Sequence, residues 1–398
     1  MRVAIVHDYL AQAGGAERVV EAMHGIWPDA PIYTSVYDPK ATLPCFKEMD
    51  VRTSFLQRWA RRSQVHKLAL PFYPAAFEQF DLGGYDVVVS NTTSFAKGVI
   101  TGPETCHVCY CHTPTRFAWR YHEYMARCDH GRVVRRLLPL LVHRLRAWDY
   151  ASAQRVDHFV TSSFNGARRV QKYYGRSADV VYAPVETDRF RVEPEPAADY
   201  FLVVSRLIGY KRVDLAVEAM TRLGLPLKVV GSGPDLARLR ALAGPSVEFL
   251  GRLPDGQVAD LLAHCRAFLF PGEEDFGIAP LEAMASGRPV IAFAAGGALE
   301  TVVAGETGLF FSQPTPESLM AAVRELDRMS VRPQRIRAHA ERFDVRAFQR
   351  RLRALVEAKL AEHRDAYARI APSAAFHVSN GLSLPPSFSL SQSENGER

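Results

Sequence analysis

The segment from Phe270 to Val290, FPGEEDFGIAPLEAMASGRPV, holds the residues whose types and spacing best suit chemistry. A short apolar strand ends at Phe270 and a polar, glycine-containing loop follows. A helix is expected to start near Ala279–Pro280, because proline lacks the N–H that would go unsatisfied at the first helical position. Glu274 falls in the loop and Glu282 in the first turn of that helix, with seven residues between them, so both can face one ligand. The free N–H groups of Phe276 and Gly277 stand at the positive end of the helix, where a phosphate is favoured. A carboxylate there can accept hydrogen bonds from sugar or ribose hydroxyls. Taken singly, each glutamate reads better as a helix-start charge or surface residue; the whole string is far harder to obtain by chance.

Other candidates follow the ends of other strands. In VVSRLIGYKRVD, Arg206 and Lys211 come directly after an apolar run. Two cations there could hold a diphosphate, arginine through a planar fork and lysine as a point charge. Gly231 and Gly233, in VVGSGPD, form a strand-to-helix turn that lets backbone approach a ligand. In the first half, Gly14 and Gly15 precede Ala16 and Glu17 at a helix start, where backbone can come close to a phosphate. A Gly-Gly pair is not the dinucleotide G-x-G-x-x-G fingerprint. The strand TCHVCYCH gives Cys106 and Cys109 a CxxC spacing, but alternation along a strand points the two in opposite directions. No second Cys/His pair with zinc spacing occurs, so no metal site is expected. His112 closes that strand beside Thr113 and Pro114.

The elements that must position these residues alternate strand and helix in both halves. RVAIVHDYL, YDVVVSN, TCHVCYCH and HFVTSS read as buried strands in the first half. After VEPEPAA, the second half offers YFLVVSRL, LKVVGSGP, VEFLGRL, AFLFPG and PVIAF. This pattern predicts an α/β protein with two doubly wound parallel sheets facing a cleft, and ligands beyond the carboxyl ends of the strands. The expected divisions are an acceptor-side domain over 1–190, a nucleotide-binding domain over 191–344, a helix over 345–368 that packs back on the first domain, and a disordered Ser/Pro-rich tail over 371–398.

With 398 residues, 47% hydrophobic and 23% charged, the chain suits two globular domains. No apolar run approaches the ~20 residues that span a bilayer, and the four-residue apolar run before His7 is too short for a signal peptide. The expected compartment is therefore cytoplasmic. Residues 51–150 hold 14 Lys/Arg against 7 Asp/Glu, a surplus larger than the net +6 of the whole chain. A localised basic surface suggests an anionic partner. In RVVRRLLPLLVHRLRAW, the apolar residues Val134, Leu137, Leu138, Leu141, Leu145 and Trp148 fall at helical spacing, with Arg132, Arg135 and Arg136 mostly off the stripe. This basic amphipathic helix could lie in a headgroup layer, with Arg132, Arg135, Arg136 and Trp148 facing the membrane. Alternatively, its stripe belongs to the domain core.

The string Glu274-Asp-Phe-Gly-Ile-Ala-Pro-Leu-Glu282, with SRLIGYK before it and GRPVIAFAAGGALETV after it, resembles retaining glycosyltransferases of family 4, which have the GT-B fold. HDYLAQAGGAERV, YCHTPTRFAW and RVDHFVTSSFNGARRVQKYYGR resemble the GDP-mannose-dependent mannosyltransferases of bacterial O-antigen and exopolysaccharide assembly. The resemblance implies that His112 and Glu274 act at the donor sugar. Gly15, Arg206, Lys211, Phe276 and Gly277 would hold the diphosphate. Glu282 would hold the ribose hydroxyls, with Gly231, Gly233, Leu250 and Gly251 near the nucleotide. The implied partners are a nucleotide-sugar donor, a polyprenyl-diphosphate-linked glycan acceptor and the inner membrane surface, with no nucleic acid. No cofactor is implied, and no Asp-x-Asp motif suggests a metal. A nucleotide-sugar epimerase of the same architecture and a non-catalytic sugar-nucleotide-binding subunit are the rival readings.

Overall fold

The computed structural model describes residues 1–60, 69–121, 132–193 and 198–370. The expected 371–398 tail lies outside the described residues. Two parallel sheets form the frame. In the first, β1 (Val3–His7), β2 (Ile32–Thr34), β3 (Val51–Thr53), β4 (Val87–Thr92), β5 (Cys106–Cys111), β6 (His158–Thr161) and β7 (Ala178–Val180) run in the order β3-β2-β1-β4-β5-β6-β7. In the second, β8 (Phe201–Val204), β9 (Leu227–Val230), β10 (Val247–Gly251), β11 (Ala267–Phe270), β12 (Val290–Phe293) and β13 (Gly308–Phe311) run β10-β9-β8-β11-β12-β13. The doubly wound fold expected from the alternating pattern is therefore present. The short strands β2, β3, β7 and β13 are additions to it.

The central strands are buried along their whole length because helices cover both faces. Every residue of β1, β4, β5 and β11 is buried. Cys106, Val108 and Tyr110 pack into one core cluster, whereas Cys109 and Cys111 pack into another on the opposite side. Among the buried groups of the first sheet, Asp8 is tied down completely. Its carboxylate accepts from the backbone N–H groups of Thr93, Ser94, Phe95 and Ala96 at 2.6–3.0 Å, fixing the loop after β4.

The chain crosses between the sheets twice, and the crossings run side by side. Val185 N–H donates to Phe343 O at 2.9 Å, and Val345 N–H donates back to Val185 O at 3.1 Å. The final helix, Val345–Ile370, then returns to the first sheet. Leu352 and Val356 on it are fully buried, Phe348 meets the Tyr110 ring edge-on at 5.7 Å, and Gln349 donates to Ala22 O at 3.0 Å.

Two local expectations need correction. The helix after the Glu274 loop starts at Ile278 and ends at Ala285, so Pro280 is its third residue and Glu282 lies beyond its first turn. Proline is tolerated there because the first N–H groups of any helix lack an intrahelical acceptor. Trp148 does not face a membrane. Its indole N–H donates to Glu78 at 2.8 Å, and its ring packs on Phe95 at 5.7 Å. Leu141 and Leu145 face the same core, so this apolar stripe packs against protein. The side chains of Arg132, Arg135 and Arg136 lie outside the described residues.

Candidate active site

In each sheet the strand order reverses once, between β1 and β4 and between β8 and β11. Ligands of such sheets bind beyond the carboxyl ends of the strands at that reversal. The candidate residues lie there. Gly14, Gly15 and Asn91 belong to the first reversal, with His112 after neighbouring β5. Arg206, Lys211 and Glu274 follow β8 and β11 at the second. The two reversals face one another, since a Cβ added at Gly15 would lie 2.8 Å from Ile278 Cδ1.

Glycines set the second wall. At Gly231 φ is +134°, and an added Cβ would lie 1.8 Å from Ser205 O; at Gly233 it would lie 2.2 Å from Leu207 O. Ser205 N–H donates to Val230 O and Leu207 N–H to Ser232 O, both at 3.0 Å. The glycine turn is therefore stitched to the loop carrying Arg206. Gly231→Ala is expected to displace that loop and weaken nucleoside diphosphate binding by at least about 10-fold, measured by calorimetric titration with GDP and UDP. Gly251 takes φ +70° with open space around it, a conformation that favours glycine. Leu250 stands half-buried beside it. Downstream, Gly296 and Gly297 press against the backbone of the Glu274 loop: their added Cβ atoms would lie 2.2 Å from Glu274 O and 2.3 Å from Phe276 Cα. Gly297 N–H donates to Glu274 O at 2.8 Å.

The charged groups divide into two adjoining sets. Lys211 Nζ donates to Glu274. The Arg206 guanidinium sits among Tyr210, Tyr9 and Glu274, with Nη1 3.5 Å from Gln12 Oε1 on the opposite wall. Glu282 stands apart from this group. It lines a cavity of about 120 Å³ with Arg18, Glu186, Arg189, Ile278 and Gln349. Burial raises its pKa, and the charges of Arg18 and Arg189 oppose that rise. The two glutamates thus line neighbouring parts of the cleft, bridged by Ile278 one turn before Glu282. Phe276 contributes only backbone, because its ring stacks on Tyr182 at 5.7 Å in the core. Gly277, with φ +91°, turns the chain into the helix.

His112 faces this loop from the first domain. Its Nε2 lies 2.8 Å from Asn91 Oδ1, while Asn91 Nδ2 donates to Ala16 O at 3.0 Å. A backbone carbonyl accepts only, so the amide orientation is fixed and His112 must carry its proton on Nε2. Burial, helped by the nearby charge of His7, pushes the His112 pKa down to about 4. The ring is therefore neutral near pH 7. Behind it, His7 Nε2 lies 3.5 Å from the buried Glu17.

Several participants escape the sequence pattern. Arg18 and Arg189 flank Glu282, Asn91 orients His112, and Arg116 and Arg169 grip Asp275 from the other domain. Arg116 and Arg169 stand within the quoted strings, but nothing in their spacing reveals a shared carboxylate. At the opposite end of the first sheet, Cys106, Asp157 and His363 each bring one potential ligand atom within 4.8 Å of the others. Asp157 there already accepts from His107 N–H at 2.7 Å.

Two facing parallel-sheet domains, each with its strand order reversing once, give the GT-B architecture. Residues 184–343 match the model of the family described as glycosyl transferases group 1. It is 33% identical to the GDP-mannose-dependent alpha-(1-6)-phosphatidylinositol monomannoside mannosyltransferase of Mycobacterium tuberculosis over 189 residues, 40% of this chain and 49% of the relative. The chain thus spans about half the length of that relative. It is 26% identical to the alpha-1,3/1,6-mannosyltransferase ALG2 of Dictyostelium discoideum, over 82% of this chain and 89% of the relative. In fold it is similar to the sucrose-phosphate synthase of Thermosynechococcus elongatus, with a TM-score of 0.71, 16% identity and coverage of 91% of this chain and 100% of the other.

Proposed function

We propose that this chain is a retaining hexosyltransferase that moves mannose from GDP-mannose onto a polyprenyl-diphosphate-linked glycan during cell-surface polysaccharide synthesis. The observation that carries the reading is the convergence of Arg206, Lys211 and Glu274 at one strand-order reversal, opposite Gly15 and His112 at the other. At the Glu274 loop, Arg116 and Arg169 are taken up by Asp275 and Glu273, whereas the two cations Arg206 and Lys211 face the single carboxylate Glu274. That surplus suits a diphosphate and supports a reaction that uses no divalent metal.

The bond between the sugar carbon and the diphosphate oxygen breaks as the acceptor oxygen bonds on the same face. The acceptor proton passes to the departing phosphate. Arg206, Lys211 and the Phe276 and Gly277 amides stabilise the charge that develops on the leaving group, the largest lever available to the protein. Glu282 holds the ribose, and neutral His112 serves as a hydrogen-bonding group at the sugar. The two relatives, both mannosyltransferases by name, favour this reading over an epimerase or a non-catalytic subunit.

Thermal-shift titration with GDP, UDP, ADP and dTDP, followed by turnover of the matching donor, tests the proposal. GDP is expected to stabilise the protein most, and GDP-mannose to be consumed only with acceptor present and without loss on adding EDTA. A response to UDP alone would remove the mannose assignment. No response to any nucleotide would remove the glycosyltransferase reading.

Among the described residues, no helix is long and apolar enough to cross a membrane. For a lipid-linked acceptor, the outward residues Pro139, Leu140, His143 and Arg144 of the helix Arg132–Gln154 offer a docking face on the inner leaflet. Co-sedimentation with vesicles containing anionic phospholipid is expected for the wild type and is expected to fall several-fold in Leu140→Glu/Arg144→Glu.

A further inference from the structure

The Glu274 loop is held from both sides of the cleft. Its neighbour Asp275 is only 6% exposed, although no residue of its own domain makes an ion pair with it among the described residues. Instead, two guanidiniums from the first domain converge on it. Arg116 donates to Asp275 Oδ2, with its Nε at 3.2 Å, and Arg169 donates to Oδ1. Arg169 also donates to Glu273 Oε1 at 2.6 Å, and Arg120 stands 3.6 Å from the same oxygen. Arg169 belongs to the helix Phe164–Tyr174, whose first amides are capped across the cleft: Phe164 N–H and Asn165 N–H donate to the two oxygens of Glu300 at 2.8 and 2.9 Å. Glu300 follows Gly296 and Gly297, the glycines that cradle the backbone of residues 274–276. One helix of the first domain therefore grips the loop carboxylates at one point and the loop's cradle at another.

Burial works against the charge on Arg116, but Asp275 together with Tyr210 and Glu274 outweighs it and raises the Arg116 pKa, so the guanidinium remains a cation. A carboxylate that accepts from two arginines on different oxygens cannot rotate freely. The residue before Glu274 and the residue after it are both held by the opposite domain.

We propose that Arg116 and Arg169 are positioning residues: by clamping Asp275 and Glu273 across the cleft, they fix where Glu274 stands and hold the two domains closed. The role in transfer rests on the function proposed above; the role in closure does not. Neither arginine needs to touch the nucleotide, for which Arg206 and Lys211 are the proposed cations.

The test compares the wild type with Asp275→Asn, Arg169→Gln and their combination, all in the full chain. Small-angle scattering of the ligand-free proteins is expected to give a larger radius of gyration for each variant, with unchanged circular dichroism. In turnover, each single change is expected to lower kcat by about 10- to 100-fold. Affinity for GDP stays within about 3-fold of the wild type, and the double variant is no slower than the slower single, as residues acting through one contact require. Arg169→Lys should recover part of the loss. Unchanged scattering, multiplicative losses in the double variant, or a rise in acceptor KM at constant kcat would overturn the clamp. If the wild type binds no nucleoside diphosphate, the proposed function fails, and the scattering comparison still decides the clamp.

Discussion

Lys211→Ala is expected to lower kcat/KM for the sugar donor by about 10²- to 10³-fold, the usual loss when one group stabilising transition-state charge is removed. Lys211 and Glu274 form an ion pair at the cleft, with side chains 16% and 18% exposed. A pair in contact with solvent contributes roughly 0–1 kcal/mol to stability. The melting temperature should therefore move by no more than about 2 °C, so a large loss of activity could not be ascribed to unfolding. Glu274→Gln keeps the shape of the side chain and removes its charge, and is expected to be comparably slow. It also frees the Lys211 ammonium for the diphosphate, so GDP affinity should stay level or rise while turnover collapses. Calorimetric titration with GDP beside initial-rate kinetics separates the two effects. Full turnover by either purified variant would dismantle the site.

The second large effect concerns acid. His107 is fully buried with Nε2 2.8 Å from Ser90 Oγ, and burial, aided by the charge of Arg155, pushes its pKa down to about 3. His112 is pushed down to about 4. Both folded-state values lie below the ordinary 6.5 of histidine. Between pH 6.5 and about 4, the unfolded chain therefore takes up protons that the fold excludes. Their contribution to stability is fully present above pH 6.5 and declines as the pH falls. His7 works in the opposite sense: desolvation lowers its pKa, but Glu17 and Asp8 more than offset this, and its contribution is present below pH 6.5. From pH 7 to pH 5, each depressed histidine removes about 2 kcal/mol. A fall in melting temperature of about 5 °C or more is expected over that range. His107→Gln should flatten the slope by roughly one proton. A flat profile from pH 7 to 5 would contradict the burial of these rings. Activity limited by His112 should not titrate near neutrality, because the ring is already neutral there.

What the sequence made legible follows from local physics. The long apolar strands Val3–His7, Val87–Thr92 and Cys106–Cys111 announce themselves because every residue is buried. β2, β3 and β7 have three residues each, too few to establish a period. The glycines at 231 and 233 are conspicuous as letters, yet their reason, backbone pressed on Ser205 and Leu207, becomes visible only in three dimensions. The apolar stripe through Leu141, Leu145 and Trp148 is equally visible, but a stripe does not say whether it meets lipid or protein, and here it meets Phe95 and the core around it. The arginines on Asp275 were beyond reach for a different reason. They lie 159 and 106 residues away along the chain, and only the facing of the two sheets brings them to one carboxylate.

The paired crossings at Val185 and Phe343–Val345 carry a mechanical consequence. Two tethers that lie side by side and are hydrogen-bonded to each other leave the halves free to swing about one line, while sliding or twisting would tear the bonds between them. The fold thus has the kinematics of a door: whatever loosens the far edge of the cleft opens it widest at the mouth, where substrates enter, and least beside the tethers. Because the last helix is bolted to the first half beyond the second tether, the swinging leaf is the segment between them, and its travel is set at its free edge.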